Sequence, residues 1–67
     1  MLSKEKVTQD MLAVLTELQA YDNVYHPSDV QMRIYNGLLN KLEAYCEILD
    51  DDVPDEYIEQ IERFISL

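Results

Sequence analysis

The sequence predicts an all-α fold, a small three-helix bundle in a single domain spanning residues 1–67. Apolar residues recur at helical spacing in three segments, about 4–21, 29–49 and 53–66, and turn or proline signals separate the segments. The outer segments each carry one apolar stripe, whereas the central segment is apolar over a much wider arc. We therefore expect the central helix to pack against both of the others.

The first helix is expected to begin after Ser3, because a serine side chain accepts hydrogen bonds from the free N–H groups of a first helical turn. Lys6 and Asp10 are spaced for an ion pair on its exposed side. Its apolar residues fall within an arc of roughly 120°, the width of one core-facing stripe. They are Val7, Met11, Val14, Leu15, Leu18 and Tyr21.

Residues 22–27 are predicted to form a loop. The segment opens on Asp-Asn, which favours a turn, and Pro27 disfavours helical geometry at His26. We expect Val24 and Tyr25 to pack down on the bundle because both are apolar.

The central helix starts with a capping box, in which Ser28 is the N-cap and Gln31 stands three residues later. Its apolar residues cover an arc of roughly 200°, which is wide enough to contact two neighbours. Gly37 interrupts this pattern at a cost of about 1 kcal/mol relative to alanine. The simplest explanation is that another helix backbone approaches closely at this position. The apolar residues are Val30, Met32, Ile34, Tyr35, Leu38, Leu39, Leu42, Tyr45, Cys46, Ile48 and Leu49.

Pro54 marks the start of the last helix, since proline is not tolerated deep inside one. Asp52 is the best candidate for its N-cap, and Asp55 and Glu56 would follow in the first turn, where the helix dipole favours acids. One stripe of roughly 140° faces the core. It consists of Tyr57, Ile58, Ile61, Phe64 and Ile65.

Composition limits the kind of partner that this chain can bind. The formal net charge is −9, which argues against direct contact with nucleic acid or with anionic membranes, because both require lysine and arginine. No apolar run is long enough for a signal peptide or a membrane span. Cys46 is the single cysteine, and it lies inside an apolar pattern. We therefore expect it to be a buried free thiol in a protein of a reducing compartment. We expect a complete cytoplasmic protein.

The sequence contains few residues that could take part in catalysis. There is one histidine, one cysteine and one glycine, so neither a nucleophile with a neighbouring base nor a glycine-rich phosphate loop is available. A calcium loop starting at Asp51 would place Glu56 where that motif requires glycine. A DNA-recognition helix is excluded because the last helix presents mostly acids. We therefore predict a non-enzyme with no catalytic residue, cofactor or metal.

Negative charge is concentrated toward the end of the chain. Residues 1–21 carry a net charge of −1, residues 22–49 carry −2 and residues 50–67 carry −6. Several of these acids are like-charge neighbours or lie near a helix C-terminus, where the dipole disfavours them. They form either a solvated face that keeps the protein soluble or a surface that docks on a basic partner. For docking we predict Glu43, Glu47, Asp50, Asp51, Asp55, Glu59, Glu62 and the loop residue Tyr25.

Two functions therefore remain open. The first is a small acidic protein-binding module that inhibits or modulates a larger protein by docking on its basic surface, which could be a nucleic-acid-binding site. Carboxylates spaced like phosphates would make it a nucleic-acid mimic. In size, acidity and lack of catalytic residues, the chain is similar to phage-encoded host-directed inhibitors. The alternative is a structural or assembly subunit that forms a homodimer or larger homo-oligomer through an apolar seam on the central helix.

Overall fold

Three α-helices follow one another in the computed structural model, which describes residues 3–66. Helix α1 spans Lys4–Ala20, α2 spans Asp29–Leu49 and α3 spans Asp55–Glu62. Short 3₁₀ turns, Tyr21–Asn23 and Asp50–Asp52, follow α1 and α2. The predicted all-α three-helix bundle is confirmed. Across residues 3–66, none of the helices combines the length and the apolar character needed to cross a lipid bilayer.

Both predicted serine caps are present. The Ser3 hydroxyl accepts a hydrogen bond of 3.1 Å from the backbone N–H of Lys6 at the start of α1. At the start of α2, the Ser28 hydroxyl accepts from the Gln31 N–H at 3.1 Å. The Gln31 side-chain oxygen in turn accepts from the Ser28 N–H at 2.8 Å, which completes the capping box. The sequence signals for both helix starts are thus confirmed.

The start of α3 differs from the prediction. The N-cap is Pro54 rather than Asp52, and the helix begins at Asp55. Asp52 lies in the preceding 3₁₀ turn, and its carboxylate is 2.7 Å from the ammonium of Lys4. Between them Val53 is extended and buried, so the chain enters the core before the helix can begin.

The end of α3 also comes earlier than predicted. The helix stops at Glu62 rather than near residue 66. The N–H groups of Phe64 and Ile65 both donate to the carbonyl of Ile61 at 3.0 Å, which tightens the last turn. Phe64 and Ile65 still pack against the core, so their predicted apolar role holds although they lie outside the helix.

The core lies mainly between α1 and α2. The whole predicted stripe of α1 from Val7 to Leu18 is buried, and α2 contributes one face of its apolar arc. These helices are antiparallel, because Lys4 reaches the turn after α2 while the rings of Tyr21 and Tyr35 lie 5.4 Å apart at the other end. The buried residues are Val7, Met11, Val14, Leu15, Leu18, Leu38, Leu42, Cys46, Leu49, Val53 and Ile61.

The other residues between 3 and 66 do not fully cover the apolar arc of α2. Helix α3 has eight residues, so it spans about 12 Å of the roughly 31 Å length of α2. Val30, Ile34 and Ile48 remain 62%, 49% and 56% exposed. A Cβ built on Gly37 would meet nothing within 4 Å. The expected close approach of another helix at Gly37 is therefore wrong within this chain, because the glycine faces open space.

The loop between α1 and α2 is only partly packed down. Val24 is half-buried, as expected, whereas Tyr25 is 90% exposed. The Tyr25 ring instead makes an edge contact with His26, with ring centroids 4.5 Å apart. The expectation that Tyr25 packs on the bundle is wrong, because Pro27 and the extended entry into α2 carry this part of the loop along the surface.

Candidate acidic docking surface

The acidic surface lies where the end of α2, the Asp50–Asp52 turn and the start of α3 meet. We use the name acidic surface for six residues that line two adjoining depressions here. All six were predicted as partner-binding residues, and all six are exposed. They are Glu43, Glu47, Asp50, Asp51, Asp55 and Glu62.

The larger depression is amphipathic. It has a volume of about 500 Å³, and four carboxylate side chains of the acidic surface line it: Asp50, Asp51, Asp55 and Glu62. Three apolar side chains complete the lining, Cys46, Val53 and Ile58. The apolar residues are buried or half-buried and the acids are exposed, so an apolar floor lies beneath charged edges. In the sequence these three residues look like ordinary core positions, so the floor becomes evident only in the structure.

The smaller depression continues the larger one along α2. It has a volume of about 220 Å³, and its acids are Glu43, Glu47 and Asp50. Cys46 and Asp50 line both depressions, so the two form one continuous surface. Ile65 and Ser66, beyond the end of α3, close its far side. The tail of the chain therefore helps to shape the site.

The ion pairs among residues 3–66 involve other carboxylates than those of the acidic surface. Lys6 pairs with Asp10 at 2.9 Å, Lys4 pairs with Asp52 at 2.7 Å, and Arg63 lies 3.7 Å from Asp22. Within residues 3–66, no carboxylate of the acidic surface takes part in an ion pair. Their mutual repulsion is therefore not relieved by a direct ion pair within these residues, and the surface favours a cationic partner.

Asp50 has an unusual backbone conformation at the centre of this surface. Its φ and ψ angles are 48° and −115°, and over residues 3–66 it is the one non-glycine residue with positive φ. Its N–H donates to the carbonyl of Cys46 and ends α2. A residue with a Cβ is strained in this region, which glycine occupies readily. The sequence gives no signal for this, because Asp50 simply opens a run of three aspartates.

Two predicted residues lie outside the depressions. Glu59 is exposed on α3 one turn after Asp55, so it borders the acidic surface without lining it. Tyr25 precedes the N-terminus of α2, whereas the acidic surface is at the C-terminus of this helix, roughly 30 Å away along its axis. Tyr25 and the acidic surface are therefore not parts of one contiguous site.

The described residues provide no built metal centre. Within residues 3–66, no three His, Cys, Asp or Glu side chains are grouped closely enough to hold a metal ion. A third depression of about 140 Å³, near the N-terminus of α2, is lined by Tyr21, Asp22, Pro27, Met32 and Tyr35.

Burial raises the pKa of the Cys46 thiol above its ordinary value, which disfavours the reactive thiolate.

Comparison of the chain with protein-family models, with curated proteins and with solved structures finds no match in any of the three.

Proposed function

We propose that this protein is a non-enzymatic binding module that docks its acidic surface on a basic surface of a larger protein and thereby inhibits or modulates that protein. The observation that carries the proposal is the continuous pair of depressions. Six exposed carboxylate side chains line them, and none of the six has a cationic partner within residues 3–66.

The amphipathic lining of the larger depression supports a lysine or arginine side chain as the group that is bound. Such side chains have an apolar stem and a charged head. The stem would lie on Val53 and Ile58, and the head would meet the carboxylates of Asp51, Asp55 or Glu62. Hydrogen bonds between an ionised donor and a carboxylate are about twice as strong as neutral ones.

The clustered acids destabilise the folded protein, and this energetic cost is a second line of support for a binding role. Like-charge pairs at helical spacing, such as Glu43 with Glu47, each destabilise a helix by about 0.2–0.5 kcal/mol. The strained backbone of Asp50 adds a further cost at the point shared by both depressions. A face that served only solubility would not need to concentrate these costs in one place.

The proposed mechanism is electrostatic steering followed by coverage of the basic surface. Complementary charge accelerates encounter between two proteins, and the acceleration weakens as salt screens the charges. A partner whose basic surface binds nucleic acid would lose access to that ligand while the module is bound.

The proposal includes a cytoplasmic location, which the single buried thiol supports because free thiols persist in reducing compartments.

Affinity capture from a lysate, followed by mass spectrometry and salt titration, tests the proposal. Two charge-reversal variants, Asp51→Lys and Asp55→Lys, remove acids that line the larger depression. Glu17→Lys is the matched control, because it makes the same change in net charge at an exposed position of α1, away from the surface. Each reversal is expected to weaken capture of the specific partner at least about tenfold, and the control is expected to have a much smaller effect.

Two results would contradict the proposal. Binding that does not respond to ionic strength would exclude electrostatic docking. An equal loss of binding in Glu17→Lys and in Asp51→Lys would show that net charge matters and the surface does not. Circular dichroism of each variant checks that α-helical structure is retained, which all three exposed positions should allow.

A further inference from the structure

A second exposed surface runs along the outer side of α2, away from the core. We call it the outer face of α2, and its residues are spaced alternately four and three apart, as in the contact seam of two packed helices. All six of its residues are exposed. They are Val30, Ile34, Gly37, Lys41, Ala44 and Ile48.

This face has the character of an interface that the described part of the chain leaves uncovered. Three of its residues are large aliphatic side chains that are about half exposed or more, at 62%, 49% and 56% for Val30, Ile34 and Ile48. Gly37 and Ala44 are small, and the space beside Gly37 is open to 4 Å. Aligned exposed apolar side chains around small residues let another helix approach closely.

Charge along α2 indicates what that other helix is. Residues 30–42 contain Arg33 and Lys41 and no acid, whereas Glu43 and Glu47 follow, and then the Asp50–Asp52 turn. After the acidic Asp29 at its first position, the helix is therefore basic over residues 30–42 and acidic from Glu43 to its end. Two copies of the same helix attract each other when they run antiparallel, because Arg33 of each copy then faces the acidic end of the other.

We propose that the outer face of α2 binds a second copy of this chain, with the two α2 helices antiparallel about a two-fold axis near residue 39. In this register Val30 faces Ile48 of the second copy, and Ile34 faces Ala44. Gly37 faces Lys41, so the lysine stem lies over the open space beside the glycine. In each of these three facing pairs, the larger side chain of one copy lies against a smaller side chain of the other.

The exposed flank of the same face supports this register. Arg33, Asn40 and Glu47 follow one another at seven-residue intervals beside the seam, and all three are exposed. In an antiparallel helix pair such flanking positions meet across the interface. Arg33 of each copy then meets Glu47 of the other, and the Asn40 amides meet on the axis. Neither Arg33 nor Glu47 forms an ion pair within residues 3–66.

A parallel pair of α2 helices would lack this complementarity. Lys41 would face Lys41 at the same level, and like charges directly opposed are unfavourable. Gly37 would face Gly37 and leave a gap at the centre of the seam. The antiparallel arrangement is therefore the one that this face favours.

Sedimentation analysis of the full chain from about 1 to 200 μM tests the association, in the range where modest interfaces assemble. A reversible dimer is expected. Ile34→Asp should raise the dimer dissociation constant at least about tenfold, since it would bury a charge in the seam. Met32→Asp is the matched control, because Met32 is also exposed, at 41%, on the same helix but off the face. A monomer throughout, or equal effects of both variants, would overturn the proposal.

Cysteine pairing tests the orientation. In the proposed register an Ile34→Cys chain should cross-link to an Ala44→Cys chain when the two are mixed under mild oxidation. Neither should cross-link to itself, because the two copies of position 34 are offset by about 15 Å along the axis. Native Cys46 is buried and should stay unreactive. Self-cross-linking of Ile34→Cys without mixed cross-links would overturn the antiparallel arrangement.

Charge exchange tests the register independently. Arg33→Glu or Glu47→Arg alone should weaken the dimer roughly five- to tenfold, because each places like charges opposite one another at two symmetric sites. The double variant should restore wild-type association to within about threefold. Absence of that rescue would overturn the Arg33–Glu47 pairing. Asp55→Lys lies on α3, outside α2 and its acidic end, and should leave the dimer intact, so failure of this proposal is distinguishable from failure of acidic docking.

Discussion

Substitution of Asp50 by glycine should stabilise the protein. The φ of Asp50 is 48° with ψ at −115°, a combination that a Cβ disfavours and that glycine adopts without strain. Asp50 is exposed, and within residues 3–66 its carboxylate takes part in no ion pair, so truncation leaves neither a cavity nor an unpaired partner in the folded state. The change therefore alters two terms, the backbone strain and the charge repulsion with neighbouring acids, and a matched control separates them.

The magnitude follows from opposing contributions. Strain of this kind costs about 1–3 kcal/mol, and its relief favours the variant. Glycine also gives the unfolded chain more conformational freedom, which offsets about 0.5–1 kcal/mol. The free energy of unfolding should therefore rise by about 1 kcal/mol. In a domain of this size, that change raises Tm by about 4–8 °C.

Urea denaturation followed by circular dichroism at low protein concentration measures the effect. Asp50→Asn is the matched control, since it removes the same charge and keeps a Cβ in the strained conformation. If Asp50→Gly is no more stable than Asp50→Asn, backbone strain at this position is not the source of the gain. A rise in both variants by the same amount would instead assign the gain to relief of charge repulsion with neighbouring acids.

Further predictions concern the core, the caps and pH. Leu42→Ala, at a side chain with 0% exposure, should lower the free energy of unfolding by about 2–5 kcal/mol, and urea titration should show much of the protein unfolded without denaturant. Ser28→Ala removes the capping box and should cost about 1 kcal/mol in the same assay, whereas Ser28→Thr should largely retain it. Gly37→Ala should stabilise the monomer by about 0.8–1 kcal/mol, because alanine favours the helix and its Cβ meets nothing within 4 Å; a loss would refute the open space beside Gly37. Because burial raises the pKa of Cys46 above 9.0, its contribution to stability is complete below that pH and is lost as pH rises through the folded-state pKa. Wild type should therefore lose more stability than Cys46→Ala between about pH 8 and 10 in parallel urea titrations, and identical slopes would contradict this.

The fold could be predicted from the sequence because its signals are local and repeated. The apolar stripe from Val7 to Leu18 and the capping box at Ser28 each specify a helix without knowledge of any neighbour. The boundaries of α3 could not be predicted in the same way. They depend on Val53 entering the core and on the turn at Ile61, which are tertiary effects that intrinsic preferences do not encode.

The candidate acidic surface was predicted in part. Charge clustering alone identified acids such as Asp51 and Glu62, because carboxylates that capping does not explain are visible in the sequence. The apolar floor and the strained Asp50 were not predicted, since both become evident only in three dimensions, where the chain turns from α2 to α3. Tyr25 was predicted from residue type, and its distance from the acids becomes evident only in three dimensions.

The brevity of α3 has a consequence for folding and local opening. Ile61 is its one buried side chain, whereas α1 contributes five buried side chains to the core and α2 contributes four. We expect the α1–α2 hairpin to form first and α3 to detach first, so amides of α3 should exchange with solvent at a lower free energy than those of α2. Since the larger depression requires both α2 and α3, opening of α3 dismantles it. A bound partner would therefore slow exchange in α3, which links recognition to the least stable unit of the molecule.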